Sequence, residues 1–246
     1  QYRGTGYGQL CQYRKADGTD QTWAGVDDWR PAGEYRDKAE ELEPRAQASL
    51  YFYGVNPKNN TGNSRWDLYQ NWQLEYKWQD GCAKNIKFWY EAGSREWFEF
   101  PIYRMAEFYL NIAEAYNEEG NPTMALRYLN DIRRRGGIPD ETQTDRVGLR
   151  RSIHREWAVE FYVENQWYPH ARHWKQGASM VGGAKYKFEF SQAAGVSWNP
   201  RKPEEFANYT RKPSYVPEYT WHERMSLSPF TLSEVNKGYL VQNPGY

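Results

Sequence analysis

Apolar side chains recur at three- and four-residue spacing between residues 101 and 174, which is the period of helices with one buried face. The first stripe comprises Ile102, Met105, Ala106, Tyr109, Ile112, Ala113 and Tyr116. The second stripe comprises Ala125, Tyr128, Leu129 and Ile132. The order of small and large residues predicts two antiparallel helices with the spacing of a tetratricopeptide unit.

Helix-capping residues mark the ends of these two helices. Pro101 suits the first turn of the first helix, because its missing N–H costs nothing there. Gly120 and Asn121 end that helix, and Asn121 can cap the second helix. Gly136 follows a run of arginines, which suits a helix C-terminus. A single unit of this kind cannot bury both of its faces, so it needs packing partners.

A third, longer helix is predicted from Thr144 or Asp145 towards Asn165. Its repeating positions are Leu149, Ile153, Trp157, Glu160, Phe161 and Glu164. Because apolar and acidic residues share this face, we expect the carboxylates to face buried arginines rather than water. The expected structural pairs join Glu156 and Glu160 to Arg104, Arg155 or Arg172.

Outside residues 101–174 the pattern predicts loops and short elements. The glycines at 4–8 are expected to form a loop, and a short charged helix over 36–48 ends at Pro44. A strand over 48–53 places Leu50 and Phe52 on one face. Further predictions are a turn-rich loop at 54–64, short strands and loops over 66–100, a loop over 177–195 with a strand at 186–190, and a strand-like segment at 227–230.

Aromatic residues supply much of the apolar surface of this chain. Mean hydropathy is −1.03, yet 17% of the residues are aromatic, with 12 Trp and 21 Tyr. Most of these rings are expected to anchor irregular backbone, and the residues interpreted in this way are Trp72, Trp78, Trp89 and Trp97. The formal net charge of zero gives no support to binding of nucleic acid or of an anionic membrane surface.

The segment 23–29 has the composition most typical of a ligand site. Trp23 and Trp29 flank Asp27 and Asp28, and the small residues between them leave space for a ligand. An indole can stack on a pyranose face while carboxylates accept hydrogen bonds from hydroxyl groups. We predict these four residues as ligand contacts, together with Tyr7.

Catalytic and metal-binding patterns are not found in the sequence. His170 and His173 are three residues apart, but Pro169 should disturb a helix there, so hydrogen bonding is favoured over a metal site. Adjacent carboxylates such as Asp27 and Asp28 cannot readily straddle a sugar ring, which argues against glycoside hydrolysis. The two cysteines, Cys11 and Cys82, fit neither a disulfide scaffold nor a zinc site, and a single bridge between them stays open. No apolar run approaches 18 residues, and no signal peptide is found.

Several separate motifs resemble the SusD/RagB family in their order along the chain. They are RMAEFYLNIAEA at 104–115, LNDIRRRGGIP at 129–139, LRRSIHREWAVE at 149–160, SEVNKG at 233–238 and QNPGY at 242–246. The residues Arg30-Pro31 and Glu43-Pro44-Arg45 resemble a further stretch of the family more loosely. The sequence departs from the family at Pro169-His170, where an aspartate and an aliphatic residue are usual.

The resemblance implies a mainly α fold, with tetratricopeptide-like helical pairs, extensive irregular loops and a few short strands. It divides the chain into a loop-rich ligand-side region (1–100), a helical region (101–174) and an irregular C-terminal region (175–246). Members of the family are usually roughly twice this length and carry a lipid-bearing cysteine at the mature N-terminus. We therefore expect this chain to be a C-terminal half, without the lipid anchor.

The function implied by the resemblance is non-catalytic and needs no cofactor. It is the capture of oligosaccharides at the outer face of the outer membrane in Bacteroidetes, as a lid on a SusC-like TonB-dependent transporter. Oligopeptides are an alternative cargo for the same lid. A soluble tetratricopeptide adaptor that binds a protein segment is an alternative of another class.

Overall fold

The computed structural model describes residues 6–52, 83–88, 100–192, 194–195, 206–214 and 219–246. Some sequence predictions lie outside these residues. They are the loop at 54–64, the strands and loops predicted between 66 and 82 and between 89 and 99, and the side chains of Trp72, Trp78, Cys82, Trp89 and Trp97.

Helices form most of the regular structure in this part of the chain. They are α1 (Gly6–Leu10), α2 (Ala32–Glu40), α3 (Pro44–Ser49), α4 (Met105–Glu118), α5 (Pro122–Arg135), α6 (Arg146–Glu160), α7 (Trp167–His173), α8 (Gly177–Met180) and α9 (Leu232–Val235), with a 3₁₀ turn at Glu223–Ser226. The predicted mainly α fold class is confirmed. None of the helices built from described residues combines the length and apolar character needed to cross a membrane.

Short strands form two small antiparallel sheets. The strands are β1 (Arg30–Pro31), β2 (Leu50–Phe52), β3 (Ala83–Asn85), β4 (Tyr186–Gln192) and β5 (Phe206–Pro213). One sheet has the order β1-β5-β4, with Arg30 opposite Tyr209 and Phe188 opposite Arg211. The other sheet pairs β2 with β3. The strand predicted at 186–190 is therefore confirmed, and it continues to Gln192.

The helical pair α4–α5 has the capping that the sequence predicts. The Asn121 side chain accepts a hydrogen bond from the Met124 N–H at 3.1 Å, and Pro122 occupies the first turn of α5. Gly120 and Gly137 have φ values of +80° and +76°, which glycine adopts without strain. Gly120 and Asn121 thus fix the two helix ends at the turn, and Gly137 follows the C-terminus of α5.

The start and the buried face of α4 differ from the prediction. The helix begins at Met105 because the backbone of Arg104 is extended. The guanidinium of Arg104 donates to the carboxylates of Glu160, the last residue of α6, and of Glu164. Ile102 and Met105 are 77% and 69% exposed. The buried stripe consists of Ala106, Leu110, Ala113 and Asn117, so the predicted stripe was wrong at Ile102, Met105 and the exposed Ile112.

Five other predicted elements differ from the structure. The charged helix ends at Glu40, and Pro44 begins α3, where its missing N–H is tolerated. Residues 48–49 close α3, although Leu50 and Phe52 are buried on one face of β2 as predicted. Residues 6–8 of the predicted loop at 4–8 belong to α1, whose Leu10 is fully buried, and residues 4 and 5 lie outside the described residues. The loop over 177–195 contains α8, and residues 227–230 form no strand.

Helix α6 starts at the predicted cap and ends early. The Asp145 carboxylate accepts the Gly148 N–H at 2.7 Å. The helix ends at Glu160 rather than near Asn165, because Val163 and Asn165 adopt positive φ values of 56° and 64°. Pro169 was expected to disturb a helix but lies in the first turn of α7, where it leaves no hydrogen bond unmade.

Two hydrophobic cores lie on opposite sides of α6. One core packs α1, α2 and α3 against the β1-β5-β4 sheet, with Leu10, Tyr35, Phe188 and Tyr209 at its centre. The other packs α4, α5 and α6 together, with Leu110, Leu129, Ile153 and Trp157 at its centre. Helix α6 contributes Val159 to the first core.

A buried ion cluster joins these cores. It consists of Glu43, Arg45, Lys87, Arg104, Arg133, Arg135, Glu156, Glu160 and Glu164. The prediction that carboxylates of the third helix face arginines is confirmed, but two expected partners were wrong. Arg155 instead pairs with Asp20 and donates to the carbonyl of Gln12, and Arg172 donates to the carbonyl of Ser226.

Candidate functional site

The turn at residues 24–29 lies along β5 and is fixed to it through the backbone. The N–H of Asp27 donates to the carbonyl of Arg211 at 3.3 Å, and the N–H of Arg211 donates to the carbonyl of Gly25 at 3.2 Å. The hydroxyl of Thr210 also donates to the carbonyl of Gly25. Strand β1 follows at once and pairs with β5. The sheet therefore holds the predicted ligand segment at Gly25 and Asp27 and again directly after Trp29.

The outer side of this turn presents an exposed indole beside charged groups. Trp29 is 45% exposed, and the Lys212 ammonium lies 5.9 Å from the centre of its ring, within cation–π range. The Lys212 ammonium also pairs with the carboxylate of Asp27. This hydrogen bond raises the pKa of Lys212, so the ammonium stays charged beside the indole.

The carboxylate of Asp28 is held by two donors in the same turn. The Nε of Arg30 donates to it at 2.9 Å, and the N–H of Gly25 donates at 3.3 Å. The hydrogen bond from Arg30, followed by that from Gly25, lowers the pKa of Asp28. An ionised carboxylate has about four acceptor positions, so Asp28 can still accept hydrogen bonds from a ligand. We call Asp27, Asp28, Trp29, Arg30 and Lys212 the Trp29 patch.

Two of the predicted contacts, Trp23 and Tyr7, lie on the core side of β5. The Trp23 ring packs 5.7 Å from both Tyr35 and Phe188, measured between ring centroids. The Tyr7 ring lies 5.1 Å from Phe188. Its hydroxyl accepts a hydrogen bond from Arg211 at 2.8 Å.

Alternation along β5 explains this separation. Arg211 and Lys212 are successive residues of a strand, so their side chains point to opposite faces. Tyr7 contacts Arg211, whereas Trp29 contacts Lys212. The structure thus brings Asp27, Asp28 and Trp29 together and places Tyr7 and Trp23 behind them.

Lys212 and Arg30 were missed as members of the site. Strand β5 was not predicted, because residues 175–246 were expected to be irregular. The β-favouring residues Tyr209 and Thr210 were the available signal. Arg30 had been noted only for its family motif.

The Trp29 patch is suited to binding rather than to acid–base chemistry. Both carboxylates are already paired with cations on the same surface. Among the residues that the structure describes, no group of three or more His, Cys, Asp or Glu is placed to hold a metal ion. Cys11 is a free thiol, and burial raises its pKa.

Comparisons with known proteins confirm the resemblance found in the motifs. The model of the SusD family matches residues 9–246. A crystal structure of a SusD-like protein from Bacteroides fragilis is 25% identical with a TM-score of 0.70, and the match covers 99% of this chain and 47% of that one. The solved protein BT4246 is 25% identical with a TM-score of 0.64, over 99% of this chain and 44% of its own.

The selenomethionine form of BT4246 is 24% identical with a TM-score of 0.64, and the match covers 99% of this chain and 46% of that one. The chain therefore spans about half the length of the solved structures that it matches. No curated protein matches it.

Proposed function

The chain belongs to the SusD family, and from that membership and the Trp29 patch we propose that it takes part in nutrient capture at the bacterial cell surface. In this proposal it binds oligosaccharides without catalysing a reaction. It delivers them to a SusC-like TonB-dependent transporter and acts as the lid of that transporter. It works on the outer face of the outer membrane, where a lipid anchor holds the protein.

The observation that carries the proposal is the exposure of Trp29 on a turn fixed to β5. A large exposed indole is unfavourable in water, but it gives a flat apolar face on which the C–H face of a pyranose can stack. The turn does not need to be ordered on binding, because its backbone is already hydrogen-bonded to Arg211. A preorganised surface of this kind loses little conformational entropy when it binds a ligand.

The charged residues of the patch provide the polar half of sugar recognition. Asp27 and Asp28 each keep acceptor positions beyond those used by Lys212 and Arg30. Sugar hydroxyls that donate to these positions orient the ring over the indole. Because the patch is open to solvent, its affinity should be modest, which suits a protein that must release its cargo.

Binding of neutral oligosaccharides to the Trp29→Ala variant tests this site. Loss of the stacking surface should cost about 1–2 kcal/mol, which raises Kd roughly five- to thirtyfold. Isothermal titration calorimetry against a panel of bacterial, plant and host oligosaccharides measures the effect. Tyr239→Ala is the matched control, since Tyr239 is an exposed aromatic residue outside the patch and its removal should leave Kd unchanged.

Two results contradict the glycan proposal. One is equal affinity of the wild type and the Trp29→Ala variant for every oligosaccharide that binds. The other is binding of short peptides, and of no oligosaccharide, with an affinity that falls in Trp29→Ala. The second result would assign peptide cargo to the same patch.

The transporter partnership needs a separate experiment on the native cell envelope. The membrane fraction is solubilised in mild detergent, the protein is isolated, and co-purifying chains are identified by mass spectrometry. We expect a large TonB-dependent barrel in stoichiometric amount. Isolation of the protein without a barrel would contradict the lid role and leave the binding role standing.

A further inference from the structure

The guanidinium of Arg211 lies between two tyrosine rings beside the first hydrophobic core. Its central carbon is 5.6 Å from the centre of the Tyr7 ring and 5.1 Å from the centre of the Tyr186 ring. The centroids of these two rings are 6.3 Å apart. The three residues come from α1, β4 and β5, and each of them is partly exposed. We call them the Arg211 site.

The side chain of Arg211 has one hydrogen-bond partner among the described residues. Its Nη1 donates to the hydroxyl of Tyr7 at 2.8 Å. Its Nε is enclosed and makes no hydrogen bond. Its Nη2 also has no partner in this part of the chain, but it is not an enclosed atom. Nη2 therefore presents free N–H groups to solvent at the outer end of the guanidinium.

The charge of Arg211 is not balanced by any described residue. Arg211 takes no part in the ion pairs between these residues, although the next residue, Lys212, pairs with Asp27 on the other face of the sheet. Burial raises the pKa of Tyr7 and that of Cys11, so both of these neighbours are neutral at pH 7. Ring faces stabilise a cation, but they leave its outer N–H groups without an acceptor. Since a partly buried charge is normally paired, the site lacks an anion.

The neighbouring Arg155 shows how a guanidinium in this region is satisfied. It pairs with the carboxylate of Asp20 and donates to the backbone carbonyls of Cys11 and Gln12. The charges of Arg155 and Arg211 both oppose the rise in pKa that burial causes at the Cys11 thiol, so both act on the same small region. Because only Arg155 has a carboxylate partner there, the region carries a positive charge that attracts anions.

A carboxylate joined directly to a ring fits this arrangement. The planar guanidinium donates parallel hydrogen bonds to the two oxygens of a carboxylate. The tyrosine rings beside it offer flat apolar surfaces on which a ring can pack. In a uronic acid the carboxylate is bonded to the pyranose ring itself, so one sugar unit can reach the guanidinium and a tyrosine ring together. A neutral sugar lacks the charge, and the C-terminus of a peptide lacks the ring.

From the open end of the guanidinium, its missing counter-ion and the flanking rings, we propose that the Arg211 site binds a uronic acid unit of an acidic glycan. Nη2 donates to the carboxylate, and the hydroxyl of Tyr7 holds Nη1 so that the outer end of the guanidinium keeps its orientation. This inference rests on the proposed function in taking the cargo to be a carbohydrate, and it adds that the cargo is acidic. The site is separate from the Trp29 patch, because Arg211 and Lys212 point to opposite faces of the sheet.

The test uses the whole chain labelled with ¹⁵N at arginine. Two-dimensional NMR gives one Nε–H resonance per arginine, and the resonance missing in Arg211→Lys is that of Arg211. The probes are the methyl glycosides of glucuronic and galacturonic acid, their methyl esters, and the methyl glycosides of glucose and galactose. These sets share their rings and differ only in carrying a carboxylate, an ester or a hydroxymethyl group. We expect at least one uronate to shift the Arg211 resonance saturably, with a Kd at least tenfold lower than those of its ester and its neutral sugar.

Two variants define the site chemically, and ligand-observed NMR titration measures their Kd values. Arg211→Lys keeps the positive charge but loses the planar fork, which should raise the Kd of the uronate roughly three- to tenfold. Because Arg211 also packs between two rings, Tyr7→Phe provides a second variant that keeps both the ring and the charge. It removes the hydroxyl that positions Nη1 and should raise Kd roughly threefold. Arg127→Gln is the matched control, since Arg127 is an exposed arginine beside the Tyr128 ring on α5, and its Kd should equal that of the wild type.

The two binding proposals fail in different ways. If neutral oligosaccharides bind through Trp29 but no uronate shifts the Arg211 resonance, the uronate proposal is overturned and the proposed function stands. Equal shifts by a uronate and its methyl ester also overturn it, because the carboxylate would then play no part. Trialanine that binds as tightly as the uronates, with no binding of trialanine amide, would assign the site to peptide C-termini instead. A uronate-induced shift that persists in Trp29→Ala supports the Arg211 site as independent of the Trp29 patch.

Discussion

Replacement of Glu160 by Gln removes the carboxylate at the centre of the buried ion cluster. Glu160 is 6% exposed, and among the described residues the guanidinium groups of Arg45, Arg104 and Arg135 reach it. These arginines come from three different parts of the chain. The neutral amide that replaces the carboxylate would leave the largely buried charges of Arg45 and Arg104 with fewer partners, whereas the side chain of Arg135 is exposed and keeps its hydration. The variant should therefore be less stable.

Two independent estimates give the size of the loss. Burial by itself would raise the pKa of Glu160, but the hydrogen bonds from Arg135 and Arg104 outweigh it and lower the pKa to about 2. The difference between this pKa and the ordinary value of 4.5 for a glutamate carboxyl corresponds to about 3 kcal/mol at neutral pH. Breaking a buried ion pair costs about 3–5 kcal/mol. The lower figure applies because Arg45 and Arg104 keep other carboxylates.

Urea unfolding at pH 7 measures this loss. With an m-value of about 3 kcal/mol/M for a chain of this size, the midpoint should fall by about 1 M. Glu234→Gln is the matched control, since Glu234 is partly exposed and pairs with the surface groups of Lys237 and Tyr239, and its midpoint should not change. A Glu160→Gln midpoint equal to that of the control would refute the reasoning.

The pH dependence identifies the charge as the cause. The folded pKa of Glu160 is lowered, so its contribution is complete above the unfolded pKa near 4.5 and is lost as pH falls towards 2. At pH 3 the gap between wild type and Glu160→Gln should shrink to about 1 kcal/mol. A gap that stays constant from pH 7 to pH 3 would show that packing, rather than charge, explains the loss.

Two further predictions concern α6 and α8. Burial lowers the pKa of His154 to about 4, so protonation favours the unfolded chain and stability is lost as pH falls from 6.5 towards 4. The variant His154→Phe keeps a ring stacked on Trp174 and should remove roughly 1–2 kcal/mol of that loss, after allowance for the partial exposure of His154. Urea midpoints of the wild type and the variant at pH 7 and pH 4.5 measure the difference. A Cβ at Gly177 would lie 1.9 Å from the Trp221 ring, so Gly177→Ala should destabilise the protein by about 1–3 kcal/mol and speed proteolysis of residues 219–246. Gly8→Ala, which meets no neighbouring atom, is the control, and equal cleavage of both variants would contradict the packing of Trp221 on α8.

The parts of the fold that were predicted correctly depend on local sequence. The caps at Asn121 and Asp145 are set by side chains that hydrogen-bond three residues away, and such contacts are readable from a short window. The acidic face of α6 also followed from spacing within one helix. Its partners did not, because Arg45 and Arg135 reach Glu160 only through the tertiary fold.

The candidate site could be predicted only in part, again because contacts between distant segments depend on the tertiary fold. Trp23 and Trp29 stand in one polar segment with similar neighbours, and nothing local distinguishes a packed indole from an exposed one. The distinction comes from β5, since one face of that strand carries Arg211 with Tyr7 and the other carries Lys212 with Trp29. Ile102 was wrongly predicted to be buried, because the period of apolar residues predicts which face of a helix is buried but not the residue at which the helix begins.

The turn at residues 24–29 can bind β5 only late in the synthesis of the chain. Gly25 and Thr210 are separated by 185 positions, so the turn has no strand to bind until nearly the whole chain has been synthesised. The α4–α5 pair, by contrast, joins neighbouring segments. A chain that stops before residue 206 therefore retains the sequence of the helical body but lacks the strand that holds the ligand surface in place.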